Sequence, residues 1–189
     1  MNELPQGIIK AKMSKKIIIL VGSATKKSRS LSLAENIQKT LVQKGSEVEL
    51  IDLLELRLPV YDVTTEKTDS YDDKTRRFLE TSRQVDGWVW VTPVYHNSYS
   101  SLLKTALDWQ HWFFDHKVLG LASHSERSTA AVDQLLMVAR AQHFVPIPTR
   151  VCTANEDYDA EKQLTNKDIH QRIDRFAEEF TDFLDRFNA

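Results

Sequence analysis

The chain has 189 residues, of which 41% are hydrophobic and 28% are charged, enough to build one sizeable hydrophobic core. Its net charge is -2 and no apolar stretch approaches the roughly 20 residues of a membrane span, so neither nucleic acid nor a membrane is an expected partner. Cys152 is the only cysteine, which excludes an internal disulfide and a four-thiolate metal site, and which predicts a cytoplasmic location.

Short apolar runs alternate with segments of helical periodicity, an order typical of βαβ units around a parallel sheet. The predicted strands are residues 17–21, 48–51, 87–91, 118–122 and 144–147. The predicted helices are residues 29–43, 71–84, 99–112, 127–142 and 166–187. Pro146 and Pro148 place the fifth strand at an edge of the sheet. We expect residues 1–14 to form an N-terminal arm and residues 15–189 to form one domain, in which residues 155–167 are an exposed connection.

A turn of small and hydroxyl residues, GSATKKSRSL, follows the first predicted strand and leads into a helix. Free backbone N–H groups and the positive end of the helix dipole at such a turn can bind a phosphate. The candidate phosphate ligands are the hydroxyls of Ser23, Thr25, Ser28 and Ser30, with the positive charge supplied by Lys26, Lys27 or Arg29. The alternative is that Ser28 or Ser30 only caps the helix, or that Ser32 and Glu35 form a capping box. The turn lacks the glycine patterns of dinucleotide and triphosphate sites, so a monophosphate fits it better.

A second polar turn follows the third predicted strand and precedes an amphipathic helix. In an open α/β sheet, ligands bind in the crevice beyond the carboxyl ends of the strands. The residues of this turn are Pro93, Val94, Tyr95, His96, Asn97 and Ser98. Aromatic, imidazole, amide and hydroxyl groups can stack on and hydrogen-bond a flat polar ring, so the turn points to a redox cofactor.

A third loop, residues 123–127, follows the fourth predicted strand and is expected to close over the same crevice. Ser123 and His124 are its candidate cofactor contacts. A cofactor contact and an exposed loop imidazole are about equally favoured for His124, and Ser123 with Glu126 equally fits a capping box. No histidine has the spacing of a metal ligand, so no metal site is predicted. Cys152 has no paired base that would make it a nucleophile.

Residues 109–114, WQHWFF, carry more aromatic side chains than one helix face needs. Any single ring of this segment is expected in the core. Together the rings suggest a contact between subunits of a homodimer or homotetramer.

Three parts of the chain resemble the NADPH-dependent FMN reductase family of flavodoxin-like proteins, which includes quinone, azo-compound and chromate reductases. They are the turn from Gly22 to Ser30, the segment TPVYHNS at 92–98 and the segment LLKTALDW at 102–109. The resemblance implies a three-layer α/β sandwich with a five-stranded parallel sheet in the order 2-1-3-4-5. It also implies FMN at the carboxyl edge, with Ser23, Thr25, Arg29 and Ser30 around the phosphate and residues 93–98 along the isoalloxazine ring.

The resemblance further implies an FMN-dependent oxidoreductase. NADPH or NADH would reduce the bound FMN, and a quinone, an azo compound, free flavin or a similar small molecule would accept the electrons. No general base is required, and no catalytic residue is named. Thr25 stands where many members carry an arginine, so Arg29 or Lys26 would supply the positive charge, and residues 123–127 lack the glycines usual in the third loop.

Two alternatives belong to other functional classes. One is an FMN-binding electron carrier or redox sensor without turnover, which need not form oligomers. The other is a phospho-acceptor receiver domain, which is disfavoured because Gly22 and Ser23 occupy the place of its acidic pair.

Overall fold

The computed structural model describes residues 14–110, 114 and 116–187. Within these residues six strands form one parallel sheet: β1 Lys16–Val21, β2 Glu47–Asp52, β3 Gly87–Pro93, β4 Val118–His124, β5 Val145–Pro146 and β6 Val151–Thr153. The strand order is β2-β1-β3-β4-β5, and β6 also pairs with β4. The predicted flavodoxin-like order is therefore confirmed, with one strand more than expected.

Helices cover both faces of the sheet, so the predicted three-layer sandwich is confirmed. The helices are α1 Arg29–Gln43, α2 Leu53–Leu56, α3 Val63–Lys67, α4 Asp73–Arg83, α5 Ser101–Trp109, α6 Ala130–Ala141 and α7 Lys167–Phe187. One face is packed by α1 and α7, and the other by α4, α5 and α6. The short helices α2 and α3 were not expected, because four or five residues do not show a helical period.

The two central strands, β1 and β3, are buried on both faces, as their continuous apolar runs predict. Alternate residues of a strand point to opposite faces, so Ile17, Ile19 and Val21 of β1 pack against the α1 and α7 side. Close packing on this side also requires Gly120 in β4. A Cβ atom there would lie 2.2 Å from the ring of Phe176 on α7.

The outer edge of the sheet is split between two short strands. β5 pairs with the beginning of β4, and β6 pairs with its end. Between them, Ile147 still donates a backbone hydrogen bond to the Leu119 carbonyl (2.9 Å), but Pro146 and Pro148 have no N–H to donate. The edge position expected from the prolines is confirmed. β6 was missed because three residues are too few to predict a strand.

The aromatic segment expected at a subunit contact lies partly in the core of the chain. Trp109 is 1% exposed, and its indole N–H donates to the Pro59 carbonyl (2.7 Å). Phe114 is also buried, with its ring centroid 5.2 Å from that of Trp88. These two rings fill the interior and are not available to a partner, while residues 111–113 lie outside the described residues.

The predicted N-terminal arm lies outside the described residues except for Ser14, whose hydroxyl donates to the Gly45 carbonyl (3.2 Å). Among the helices that the structure describes, we find none with both the length and the apolar character needed to cross a membrane.

Candidate cofactor site

The register of the sheet brings the three predicted loops to one edge. Val21 at the end of β1 aligns with Val91 of β3, and Pro93 at the end of β3 aligns with His124 at the end of β4. The carboxyl ends of the three central strands therefore lie side by side. The loops that follow them face the same crevice, which is the usual ligand position in an open α/β sheet.

The first loop packs closely against the base of the second. A Cβ atom on Gly22 would lie 2.6 Å from the Ser100 hydroxyl and 2.8 Å from Leu103 Cβ, so only glycine fits there. Ser28 caps α1, with its hydroxyl accepting from the Leu31 N–H (3.1 Å). The backbone N–H groups of Arg29 and Ser30 have no acceptor within the helix and remain available to an anion.

Arg29 supplies an unpaired positive charge at this end of α1. Its guanidinium is half-buried, makes no hydrogen bond or ion pair with the described residues, and has a buried Nε without a partner. It lies over the Tyr158 ring, 5.9 Å from the centroid. Burial raises the pKa of Tyr158 to about 12, so the hydroxyl stays neutral. A buried guanidinium nitrogen without a partner is costly unless an anion completes its bonding.

Most of the candidate phosphate ligands line one cavity of about 150 Å³. Its walls are Ser23, Thr25, Ser28, Arg29, Ser30, Pro93, Tyr95, His124 and Lys162. All of these residues except Lys162 were predicted from the sequence. Helix N–H groups, hydroxyls and a guanidinium are the donors that bind a phosphate monoester, so the residues present fit the phosphate of FMN.

The second loop is a two-residue hairpin turn. Tyr95 and Ser98 exchange backbone hydrogen bonds of 2.8 and 2.9 Å, and the two residues between them, His96 and Asn97, have positive φ values of 50° and 61°. This is the backbone of a type I′ turn, which asparagine tolerates well. The side chains of His96 and Asn97 are exposed at the tip.

The hairpin turn is fixed at both ends. At its base, the buried Ser100 N–H donates to the Thr92 hydroxyl (3.1 Å). At its tip, Gln134 of α6 accepts from the Ser98 hydroxyl and donates to the Asn97 carbonyl, both at 2.7 Å. Gln134 was not predicted as a site residue, because its role depends on a contact 37 residues away in the chain.

The third loop places a neutral imidazole beside Arg29. Burial lowers the pKa of His124 below its ordinary value of 6.5, and the charge of Arg29 lowers it further, outweighing the opposite effects of Asn155 and Asp157. The ring shares a hydrogen bond with the Thr153 hydroxyl (3.1 Å). The structure thus places His124 in the cavity wall, whereas an exposed loop imidazole was the alternative.

Several predicted residues lie away from this cavity. Lys26 is exposed and pairs with Glu55 at 3.6 Å. Ser123 is fully buried, and its hydroxyl donates to the Ser128 carbonyl (3.3 Å), which shapes the loop. Val94 is half-buried, and its N–H donates to the His124 carbonyl (3.0 Å), joining the second loop to the third.

The segment expected to be an exposed connection is part of the site instead. Asp157, Tyr158 and Leu164 are buried, and the chain reverses so that Lys162 reaches the cavity. The expectation was wrong because polar residues dominate this segment, although its few apolar residues face the core. The only sequence signal for burial is the isolated Tyr158 and Leu164 within the polar run.

The glycine-free third loop is held by an ion pair with this segment. Arg127 has a positive φ of 53° and binds the fully buried Asp157 through two hydrogen bonds, 2.8 and 2.9 Å long. Asp157 also accepts from the Ala154 N–H and the Asn166 amide. The bidentate pair stabilises a backbone conformation that glycine would adopt without help.

Known proteins with similar sequences are flavin-dependent reductases. The chain is 28% identical over 178 residues to an FMN-dependent NADPH-azoreductase of Staphylococcus saprophyticus, a match covering 88% of this chain and 94% of that protein. An FMN-dependent NADPH-azoreductase of Staphylococcus aureus is 27% identical over 176 residues, with the same two shares covered.

Solved structures share the fold. The NAD(P)H:(acceptor) oxidoreductase FerB from Paracoccus denitrificans has a TM-score of 0.75 at 21% identity, covering 92% of this chain and 98% of that chain. An apo NADH:FMN oxidoreductase has a TM-score of 0.74 at 18% identity, covering 92% and 90%.

The family assignment rests on most of the chain and agrees with the chemistry of the site. Residues 15–159 match the NADPH-dependent FMN reductase family. The chain therefore belongs to this family and is an FMN-dependent NAD(P)H oxidoreductase.

Proposed function

We propose that FMN binds across the carboxyl edge of the sheet, with its phosphate in the cavity of about 150 Å³. Ser23, Thr25, Arg29 and Ser30 hold the phosphate in this arrangement. Pro93, Val94, Tyr95, His96, Asn97, Ser98 and His124 border the flavin ring. The unpaired guanidinium of Arg29 is the single observation that carries the proposal, because no other described residue satisfies its buried Nε.

The residues around the ring position the cofactor without adding charge. When bound, FMN would supply the redox chemistry, because its ring can accept a hydride from the nicotinamide and donate electrons to the second substrate. The hairpin turn of Tyr95 and Ser98 gives the ring a rigid border, since Gln134 and Thr92 fix its tip and its base. The neutral imidazole of His124 hydrogen-bonds without placing a second cation beside Arg29.

We propose NADPH as the donor and an azo compound or a quinone as the acceptor. The relatives named above act with NADPH on azo compounds. The exposed tip of the second loop leaves one side of the crevice open to small molecules. Donor and acceptor then use the same site in turn.

Three further expectations remain part of the proposal. Residues 15–189 form one domain after an N-terminal arm, and the protein is a homodimer or homotetramer in the cytoplasm. The single Cys152 is compatible with a reducing compartment. The exposed side chains of Val60 and Met137 offer apolar surface to a second subunit.

The purified protein tests the cofactor and the activity together. We expect about one equivalent of FMN per chain, tighter binding of FMN than of riboflavin, and bleaching of the flavin absorbance by NADPH under argon. Arg29→Gln should weaken the binding of FMN by about 1.5 to 3 kcal/mol, because a charge-assisted hydrogen bond to the phosphate is lost. The affinity for riboflavin, which has no phosphate, should stay unchanged. Lys39→Gln, an exposed cation on the same helix, is the control.

Two results would contradict the proposal. Equal affinity for FMN and riboflavin would remove the phosphate site. Bleaching by dithionite but not by NADPH would replace turnover with a carrier or sensor role.

A further inference from the structure

We propose that the hairpin of residues 158–164 is a third element of the phosphate site and that Lys162, at its turn, binds the FMN phosphate directly. The inference rests on the proposed FMN site and extends it to a part of the chain far from the first loop.

Lys162 has the environment of an anion ligand. It is half-buried and lines the same cavity as Ser23, Ser28 and Arg29. Within the part of the chain that the structure describes, its ammonium group has no hydrogen bond or ion pair. By contrast, Lys26 is paired with Glu55. A cation that is partly withdrawn from water without a partner becomes favourable when an anion enters.

The turn that carries Lys162 is closely constrained. The backbone N–H of Lys162 donates to the Asp159 carbonyl (3.1 Å), and the Asp159 carboxylate accepts from the Gln163 N–H (2.7 Å). The φ of Lys162 is 64°, a left-handed conformation that a lysine adopts only when its surroundings impose it. The lysine therefore occupies a position where glycine or asparagine would be easier to accommodate.

The hairpin is attached to the helix that begins at the phosphate site. The buried Leu164 donates its N–H to the Ser32 hydroxyl of α1 (3.2 Å), and Thr165 donates to the Asp157 carbonyl (2.9 Å). The first bond fixes the hairpin relative to the first turn of α1, and the second closes the base of the hairpin. Lys162 and Arg29 thus border one small cavity from two different elements.

The charges complement a phosphate monoester. Such a group carries between one and two negative charges near neutral pH. Arg29 and Lys162 supply two cations, and the N-terminus of α1 adds its partial positive charge. His124 adds none, because its imidazole is neutral.

Lys27 provides a matched control. It also has a positive φ, 47°, and borders an adjoining groove of about 350 Å³ together with Ser28 and Lys162. It does not line the phosphate cavity. Replacing Lys27 removes the same charge from the same neighbourhood without removing the proposed contact.

The experiment measures dissociation constants of FMN and riboflavin by flavin fluorescence quenching. Lys162→Met should raise the constant for FMN about tenfold, because one charge-assisted bond is lost, and leave riboflavin unchanged. Lys162→Arg should stay within about threefold of the natural protein, and Lys27→Met within about twofold. Unchanged riboflavin binding also shows that each variant is folded.

The two proposals fail in different ways. If the natural protein prefers FMN to riboflavin but Lys162→Met behaves like Lys27→Met, the role of Lys162 is overturned and the FMN site stands. A Lys162→Met variant that loses both flavins equally also overturns it. If the natural protein does not distinguish the two flavins, the phosphate site itself is overturned.

Discussion

At the scale of single residues, Arg29 and His124 present different groups at the phosphate end of the site. Arg29 is the cation at this end of α1, and its buried Nε has no partner among the described residues. Burial and that nearby charge lower the pKa of His124, so its imidazole is neutral near pH 7. The pair therefore presents one fixed cation and one neutral hydrogen-bonding group to a ligand.

The lowered pKa of His124 predicts a loss of stability in acid. Because the folded-state pKa lies below 6.5, the unfolded chain takes up a proton first as the pH falls through that value. Folding is then disfavoured, and the penalty is complete below the folded-state pKa. At pH 7.5 and above, both states are neutral and the effect is absent.

Urea denaturation at pH 7.5 and pH 5.5 measures this penalty. We expect His124→Gln to lose less stability between the two pH values than the natural protein does. His96→Gln, which replaces the exposed imidazole at the tip of the second loop, is the control and should lose as much as the natural protein. Identical losses in the His124 variant would show that this imidazole is not the one responsible.

At the scale of elements, the third loop and the hairpin of residues 158–164 depend on each other. Arg127 and Asp157 are 30 residues apart and form a bidentate pair, with the carboxylate fully buried. The same carboxylate receives the Ala154 N–H and the Asn166 amide. One buried acid thus holds the loop behind His124 and the start of the hairpin that carries Lys162.

Asp157→Asn should destabilise the protein by about 2 to 3 kcal/mol, because it breaks an ion pair whose carboxylate is fully buried and leaves Arg127 in a left-handed conformation without its partner. Equilibrium denaturation in urea gives the value. Glu156→Gln is the matched control, since Glu156 contacts the same guanidinium at 3.3 Å but is exposed. Glu156→Gln should lower the free energy of unfolding by less than about 1 kcal/mol. Equal costs for the two variants would contradict the importance of the buried carboxylate.

At the scale of the whole molecule, the parallel sheet gathers residues that are distant in the chain. Consecutive βα units bring their loops to one edge, so Ser23, Pro93 and His124 border one cavity. The opposite result holds for the aromatic segment, because Trp109 and Phe114 turn inward. Trp109 and Phe114 therefore belong to the core, while residues 111–113 of the segment lie outside the described residues.

Met137 offers exposed apolar surface for a subunit contact. It is 75% exposed on α6 and borders a groove of about 520 Å³ with Tyr61 and Leu107. We expect light scattering at micromolar concentration to give the mass of a dimer or tetramer. Met137→Glu should shift the assembly equilibrium toward the monomer, because a charge would be buried at the contact. Val42→Glu, at an exposed apolar residue of α1, should remain assembled. A strict monomer of the natural protein would refute the expected assembly.

The amino-acid sequence by itself determined the elements and the two principal loops. Continuous β-branched and apolar runs predict β1 and β3, a four-residue apolar spacing predicts α1, and a hydroxyl-rich turn between a strand and a helix predicts an anion site. These are local signals, because each depends on residues that are neighbours in the chain. They were sufficient for the fold class and for every residue around the cavity except Lys162.

Only the tertiary structure decided which candidates meet. In the folded chain Lys26 forms an ion pair with Glu55, and Trp109 packs in the core. Lys162 lines the same cavity as Ser23, which lies near the other end of the chain. Such contacts arise from packing and from long-range hydrogen bonds such as that between Leu164 and Ser32. Their energies depend on distances that composition and periodicity do not contain, so a polar segment expected to be exposed became a wall of the site.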